Sequence, residues 1–235
     1  MNLLAIESST EQLSVALLSD GEVRAREASE PRRHAALLLP LIEGLLADAG
    51  IGRRQLDAIA FGCGPGAFTG VRLATSAAQG LGFGLDRPVL GVSSLNALAL
   101  AAHHSGAVAP LLTLLDARMG ELYAATWAQD DAGGLLRVGE EGLVAPAALE
   151  IPGDDVWSVV GSGWHAHRAV LETRFGMRLQ GLEQPLLPHA REVALIALGR
   201  LRNGERPTAF EAMPVYLRDK VAQTTAERLA ARQAA

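Results

Sequence analysis

Residues 64–72 read Gly-Pro-Gly-Ala-Phe-Thr-Gly-Val-Arg, and their flanks restrict the fold. Upstream, Leu56 to Phe61 ends a short apolar run of the kind a fully buried strand shows. Downstream, Val71 to Leu85 has no proline and is rich in alanine and leucine, as a helix would be. Between them Gly64 and Gly66 allow unusual dihedrals and Pro65 fixes one, which reads as a tight turn. Strand, turn and helix in that order also present backbone N–H groups to a phosphate in many proteins. The segment lacks the Gly-Lys-Ser/Thr ending of a P-loop and the glycine spacing of a dinucleotide site. The turn reading therefore stands first on local grounds and the phosphate reading second.

The rest of the chain repeats this alternation. Leu3–Ile6 reads as a buried strand, Leu13–Leu18 as its hairpin neighbour, and Asp20-Gly21 as a turn into a third strand at Glu22–Glu27. His34–Ala49 reads as a helix with Gly50 just past its end, although Pro40 bends or delays it. Leu56–Cys63 and Val89–Val92 are strands, and Ser93 and Ser94 are the candidate caps of a helix over Leu95–His103. A second series starts at Pro110–Leu115. Glu121–Trp127 and Val156–Val160 follow as strands, Asp130–Gly142 is loose and Gly-rich, and Ala166–Phe175 and Arg191–Arg202 are helical. The expectation is two related α/β halves with a boundary near Ser105–Val108.

At 235 residues and 49% apolar, the chain can bury a real core in two modest domains or one large one. No apolar stretch reaches the roughly 18 uncharged residues of a membrane helix. Met1-Asn2-Leu3-Leu4 lacks a basic leader and soon meets Glu7, so a cytoplasmic protein is expected. A single cysteine, Cys63, excludes an internal disulfide and reads as a small buried residue. The net charge of −5 and the single lysine, Lys220, argue against a chain that clamps nucleic acid by itself.

Four segments keep a recognisable order: Ile6-Glu7-Ser8-Ser9, Gly64–Arg72, Asp116-Ala117-Arg118-Met119-Gly120-Glu121-Leu122-Tyr123, and Pro214-Val215-Tyr216-Leu217-Arg218. Together they resemble the TsaB (also called YeaZ) family, bacterial partners of the enzyme that makes threonylcarbamoyladenosine in tRNA. The resemblance implies the duplicated actin/sugar-kinase/Hsp70-like fold with a reduced second domain. With the boundary read above, the chain is expected to divide into 1–105, 106–212 and a C-terminal segment, 213–235, that packs back on the first domain, its Ala- and Arg-rich end from Thr224 reading as a frayed helix. The resemblance further implies a non-catalytic subunit that binds a TsaD-like transferase and, through the assembly, a TsaE-type ATPase. Alone the chain would be a homodimer. It would reach tRNA only indirectly and bind no cofactor, ATP being used by the partner assembly. The rival reading is a stand-alone ATP-dependent kinase or hydrolase of the same fold.

Four residues separate the two readings. Where the catalytic sister family, TsaD, typically carries Cys-Asp-Glu-Thr, this chain has Thr10-Glu11-Gln12-Leu13, so Glu11 stands at the aspartate position and Gln12 replaces the next carboxylate. The sister family's helix His-x-x-x-His, which places two imidazoles on one face for a metal, falls here on Ser94 and Leu98. His103 and His104 are adjacent and point to different faces. His34, His165, His167 and His189 have no partner four residues away; His165 and His167 would chelate if they lay on a strand, but loop or surface positions are the expected ones. No catalytic residue and no metal site are therefore expected. Ser8, Ser9, Thr10, Gly64, Gly66, Thr69, Gly70 and Arg118 are left as the remains of a nucleotide cleft. His34–Ala49 is apolar round most of its circumference, and the helix after Thr69 adds small residues. One reading buries both helices within the domain. The other, which the resemblance supports, also makes them the partner surface through His34, Leu38, Leu41, Ile42, Leu45, Arg72, Ala74, Ala77, Ala78 and Leu81.

Overall fold

The computed structural model describes residues 1–131 and 133–218. Within them ten strands form two five-stranded sheets. The first contains β1 (Leu3–Glu7), β2 (Leu13–Ser19), β3 (Glu22–Ala28), β4 (Ala58–Gly64) and β5 (Val89–Ser93), in the order β3-β2-β1-β4-β5. The first three pair antiparallel, β4 runs parallel to β1, and β5 runs parallel to β4. The second contains β6 (Leu111–Arg118), β7 (Glu121–Gln129), β8 (Leu135–Val144), β9 (Trp157–Val160) and β10 (Leu179–Gly181), in the order β10-β9-β6-β7-β8. It mixes antiparallel and parallel pairs in the same pattern. Read from its antiparallel edge, each sheet has one strand order, so the halves are topological copies.

The helices are α1 (His34–Asp48), α2 (Phe68–Leu85), α3 (Ser94–His104), α4 (Ser162–Phe175) and α5 (Ala190–Arg202). In the first half α1 joins the third strand to the fourth. The matching step in the second half holds only a short 3₁₀ turn, Pro146–Ala148. Pro40 does not interrupt α1: it removes one helix hydrogen bond, and both it and Ala36, whose carbonyl loses its partner, are exposed to solvent. Of the two candidate caps on α3, Ser93 is the cap, its Oγ accepting from the N–H groups of Leu95 (3.2 Å) and Asn96 (3.3 Å). Among the described residues no helix is long and apolar enough to cross a membrane.

Alternation along the strands explains their near-continuous apolar sequence. Leu4 and Ile6 face one side of the first sheet, where Leu38, Ile42 and Leu45 of α1 and Ala74 and Ala78 of α2 cover them. Leu3, Ala5, Ala16, Ala58 and Ala60 face the other side, against Ala190, Val193, Ala194 and Ala197 of α5. Alanine on both surfaces allows a close approach. The expected division of 106–212 into a second domain therefore needs correction: α5 lies in that range but packs on the first sheet. In return α3 sends Leu95, Leu98 and Ala102 into the core beneath Leu111, Leu115, Tyr123 and Trp127 of the second sheet. Each half thus contributes its last helix to the core of the other.

Two further readings are corrected. Asp130–Gly142 is largely β8 rather than a loose segment, and β10 was not anticipated. His165 and His167 lie on α4, not on a strand or loop, with His165 exposed as a surface histidine and His167 half-buried. The expected frayed end, Thr224–Ala235, lies outside the described residues.

Candidate functional site

Three turns meet at one end of the two sheets. The β1–β2 turn supplies Ser8 to Gln12, the β4–α2 turn supplies Gly64 to Phe68, and the β6–β7 turn supplies Ala117 to Gly120. They are held together by specific contacts. Ser8 Oγ donates to the Gly70 carbonyl (2.8 Å), and Ala67 N–H donates to the Ser9 carbonyl (2.7 Å). A Cβ on Gly70 would collide with the Ser8 carbonyl oxygen, so only glycine lets the first turn of α2 lie this close to the hairpin.

Between the turns lies a cleft of about 610 Å³. Ser9, Thr10, Gly66 and Arg118 of the expected cleft residues line it; Ser8, Gly64, Thr69 and Gly70 do not. Ser8, Gly64 and Gly70 are buried and Thr69 is exposed. The sequence reading missed Phe68, Asp116, Tyr123, Tyr216 and Arg218 on the same walls. All but Phe68 are far from Gly64–Arg72 along the chain, and only the quoted family segments pointed to them. Asp116 accepts from the Arg118 side chain (2.9 Å) and from its N–H (2.8 Å), so that carboxylate is already paired. Beside the uncapped start of α2 the lining thus combines the guanidiniums of Arg118 and Arg218, both paired, with the carboxylates of Glu11 and Asp116.

Behind the cleft lies Glu7, fully buried. Its Oε1 accepts from Ser9 N–H (2.6 Å) and its Oε2 is bonded to the Ser94 hydroxyl (3.0 Å). Burial pushes this carboxyl above the ordinary value of 4.5, while the bonds from Ser9 and Ser94 pull it partly back. Ser94 is therefore committed to a carboxyl group, and Leu98, four residues on, is fully buried in hydrocarbon. The histidines are dispersed. His34 Nε2 lies 3.2 Å from the Glu11 carbonyl, His167 Nε2 lies 3.8 Å from Asp116, and His189 Nε2 lies 3.2 Å from Glu27. Among the described residues no three His, Cys, Asp or Glu side chains are grouped to hold a metal ion.

The expected partner residues divide by burial. His34, Leu38, Ile42, Leu45, Ala74 and Ala78 are buried, five of them in the core between the first sheet and its helices. The expectation that these side chains face a partner is corrected, because their apolar stripe is used up inside the molecule. Leu41, Ala77 and Leu81 are half-buried against that core, and Arg72 is exposed. Sequence periodicity could not separate the stripes, since Leu37, Leu38, Leu39 and Leu41 offer apolar groups in nearly every direction. The large apolar groups left outside on these two helices include Leu39 (56% exposed) and Phe83 (69% exposed).

Two sheets of one strand order, helices exchanged between them and a cleft bounded by the paired turns define the duplicated actin/sugar-kinase/Hsp70-like class. Residues 23–226 match the family model described as TsaD: tRNA N6-adenosine threonylcarbamoyltransferase. The chain is 37% identical over 227 residues to the tRNA threonylcarbamoyladenosine biosynthesis protein TsaB of Escherichia coli K12, covering 94% of this chain and 96% of that protein. It is 36% identical to the TsaB protein of Haemophilus influenzae over 230 residues, 94% and 95% of the two chains. A solved structure, YeaZ from Pseudomonas aeruginosa, superposes with a TM-score of 0.83 at 40% identity, covering 92% of this chain and 99% of that one. The chain belongs to the TsaB family.

Proposed function

We propose that this protein is a non-catalytic subunit in the formation of threonylcarbamoyladenosine in tRNA. It binds a TsaD-like transferase, supports that enzyme's active arrangement and, through the assembly, works with a TsaE-type ATPase. ATP is consumed by the assembly, and tRNA is reached through the partner. Alone, the chain pairs with itself.

One observation carries the non-catalytic reading. The two positions that resemble the metal-binding histidines of the sister family hold Ser94, bonded to buried Glu7, and Leu98, enclosed in the core. A site filled this way has neither the ligands nor the space for a catalytic ion. The partner surface is the outer side of α1 and α2, where Leu39, Arg72 and Phe83 are exposed.

The test is to mix the purified chain with the TsaD-like protein of the same genome. A stable complex is expected, together with tRNA modification by the reconstituted assembly that falls to background when this chain is omitted. Full modification without it would overturn the reading.

A further inference from the structure

Residues 212–218 form neither helix nor strand, yet they are tied on both sides of the cleft. On the first half, Gln79 Nε2 donates to the Ala212 carbonyl (2.6 Å) and Val215 N–H donates to the Cys63 carbonyl at the end of β4 (2.7 Å). Gly64, at φ +100°, lets this strand-like stretch pass, since a Cβ there would stand 2.9 Å from the Val215 carbonyl oxygen. Arg72 Nε of α2 then donates to the Tyr216 hydroxyl (2.8 Å). The same guanidinium lies 3.7 Å from the ring centre of Phe68 and 5.7 Å from that of Tyr216.

On the second half, Leu217 packs against the core under β6 and β7, and Arg218 grips their turn. Its Nη2 donates to the carbonyls of Ala117 (3.0 Å) and Arg118 (3.3 Å) and to Glu121 Oε2 (2.6 Å). Arg118 and Met119 hold positive φ of 62° and 56°, a conformation non-glycine residues keep only when surrounding contacts impose it. The side chain of Arg218 is 12% exposed, so the grip is shielded from water, whereas Arg72 is open on the outer face of α2.

We propose that residues 212–218 are a strap locking the β6–β7 turn to α2, with Arg72 as its external handle. The group that takes the handle is a carboxylate on the partner protein. A carboxylate binds a guanidinium through two parallel bonds, and through the Nε edge it competes directly with the Tyr216 hydroxyl. Engagement there frees Tyr216 and, through Leu217 and Arg218, loosens the turn that walls the cleft. This inference rests on the partner reading given above.

Amide hydrogen exchange on the full chain tests it. Arg218→Ala and Tyr216→Phe are expected to keep the wild-type circular dichroism spectrum and a cooperative melt. Exchange at 117–122 should rise about tenfold or more in Arg218→Ala and less in Tyr216→Phe, with α1 unchanged. If Arg218→Ala does not fold, Arg218→Lys, which keeps the charge without the fork, replaces it. Adding saturating TsaD-like partner should raise exchange at 117–122 in the wild type and leave it unchanged in Arg72→Ala. An unaltered turn in Arg218→Ala, or a rise spread evenly over the whole chain, removes the strap. A wild-type chain that fails to bind the partner overturns the partner reading and the handle together. A wild-type complex with an unaltered turn overturns the handle alone.

Discussion

Adjacent leucines on α1 separate folding from partner binding. Leu38 is 2% exposed and belongs to the core, while Leu39 is 56% exposed. Leu38→Glu places an unpaired carboxylate in hydrocarbon and removes a packed side chain. The cost is several kcal/mol, a large share of the ~5–15 kcal/mol that holds a domain together. Leu39→Glu changes a side chain already in water, and its effect on folding should stay within about 0.5 kcal/mol. In a complex the outcome reverses. Burying a whole leucine is worth ~1.5–3 kcal/mol, so covering the exposed half of Leu39 is worth roughly 1–1.5 kcal/mol. A carboxylate trapped in the interface adds a further ~2 kcal/mol or more. Together these amount to at least about 3 kcal/mol, or over a hundredfold in affinity. A circular dichroism melt paired with a titration against the TsaD-like partner reads both. Leu38→Glu should lose the cooperative melt. Leu39→Glu should melt like the wild type and bind at least a hundredfold more weakly. Wild-type affinity in Leu39→Glu would remove the outer face of α1 from the interface, and a well-folded Leu38→Glu would refute the core assignment.

Glu7 gives a pH prediction. Its folded carboxyl is raised above 4.5, so between 4.5 and that raised value the native state keeps a proton the unfolded chain has released. Its contribution to stability is complete below 4.5 and declines as pH rises through the window. Glu7→Gln preserves an acceptor for Ser9 N–H and a donor for Ser94 without titrating, so its stability advantage over wild type should grow with pH in urea melts; parallel pH curves would contradict this. Elemental analysis after mild purification should find no stoichiometric iron or zinc, and an ion held at a defined site would refute the filled-site reading. ATP hydrolysis by the purified chain should stay at background, and activity that persists through purification but disappears in Glu11→Ala would favour a kinase or hydrolase.

Elements whose burial dictates their sequence were legible before any coordinates. β1, β2 and β4 are covered on both faces and must be apolar at every position, so their runs stand out. β8 has an exposed edge and tolerates Gly139, Glu140, Glu141 and Gly142, so nothing in its pattern demands a strand. The placement of α5 was illegible for another reason. Its alanine face would fit either sheet, and the choice is made by the matching alanines of β1, β2 and β4, far away in sequence. At the site, glycines that allow close approach were visible because few other residues can fill that role. Arg218 was not, because two of its partners are main-chain carbonyls of the β6–β7 turn and the others, Met119 and Glu121, lie about a hundred residues away in sequence, so no local pattern records the contact.

The filled site also bears on how the proposed subunit role would use this fold. Glu7 ends β1 in the first sheet, and Ser94 opens α3, the helix that the first half lends to the second. Their hydrogen bond therefore ties the end of β1 to the start of the helix whose apolar side chains enter the core of the second half. An open catalytic centre would keep polar groups there for a ligand and leave the halves free to close on it. Here the same positions hold a buried polar pair and a core leucine, so the space is filled by the protein's own groups. At the cleft mouth residues 212–218 also connect the halves, running from the β6–β7 turn to α2, the helix proposed above to face the partner. On the subunit reading proposed above, a buried polar pair at the centre and a strap at the rim suit a molecule that responds to a bound protein rather than one that turns over a substrate.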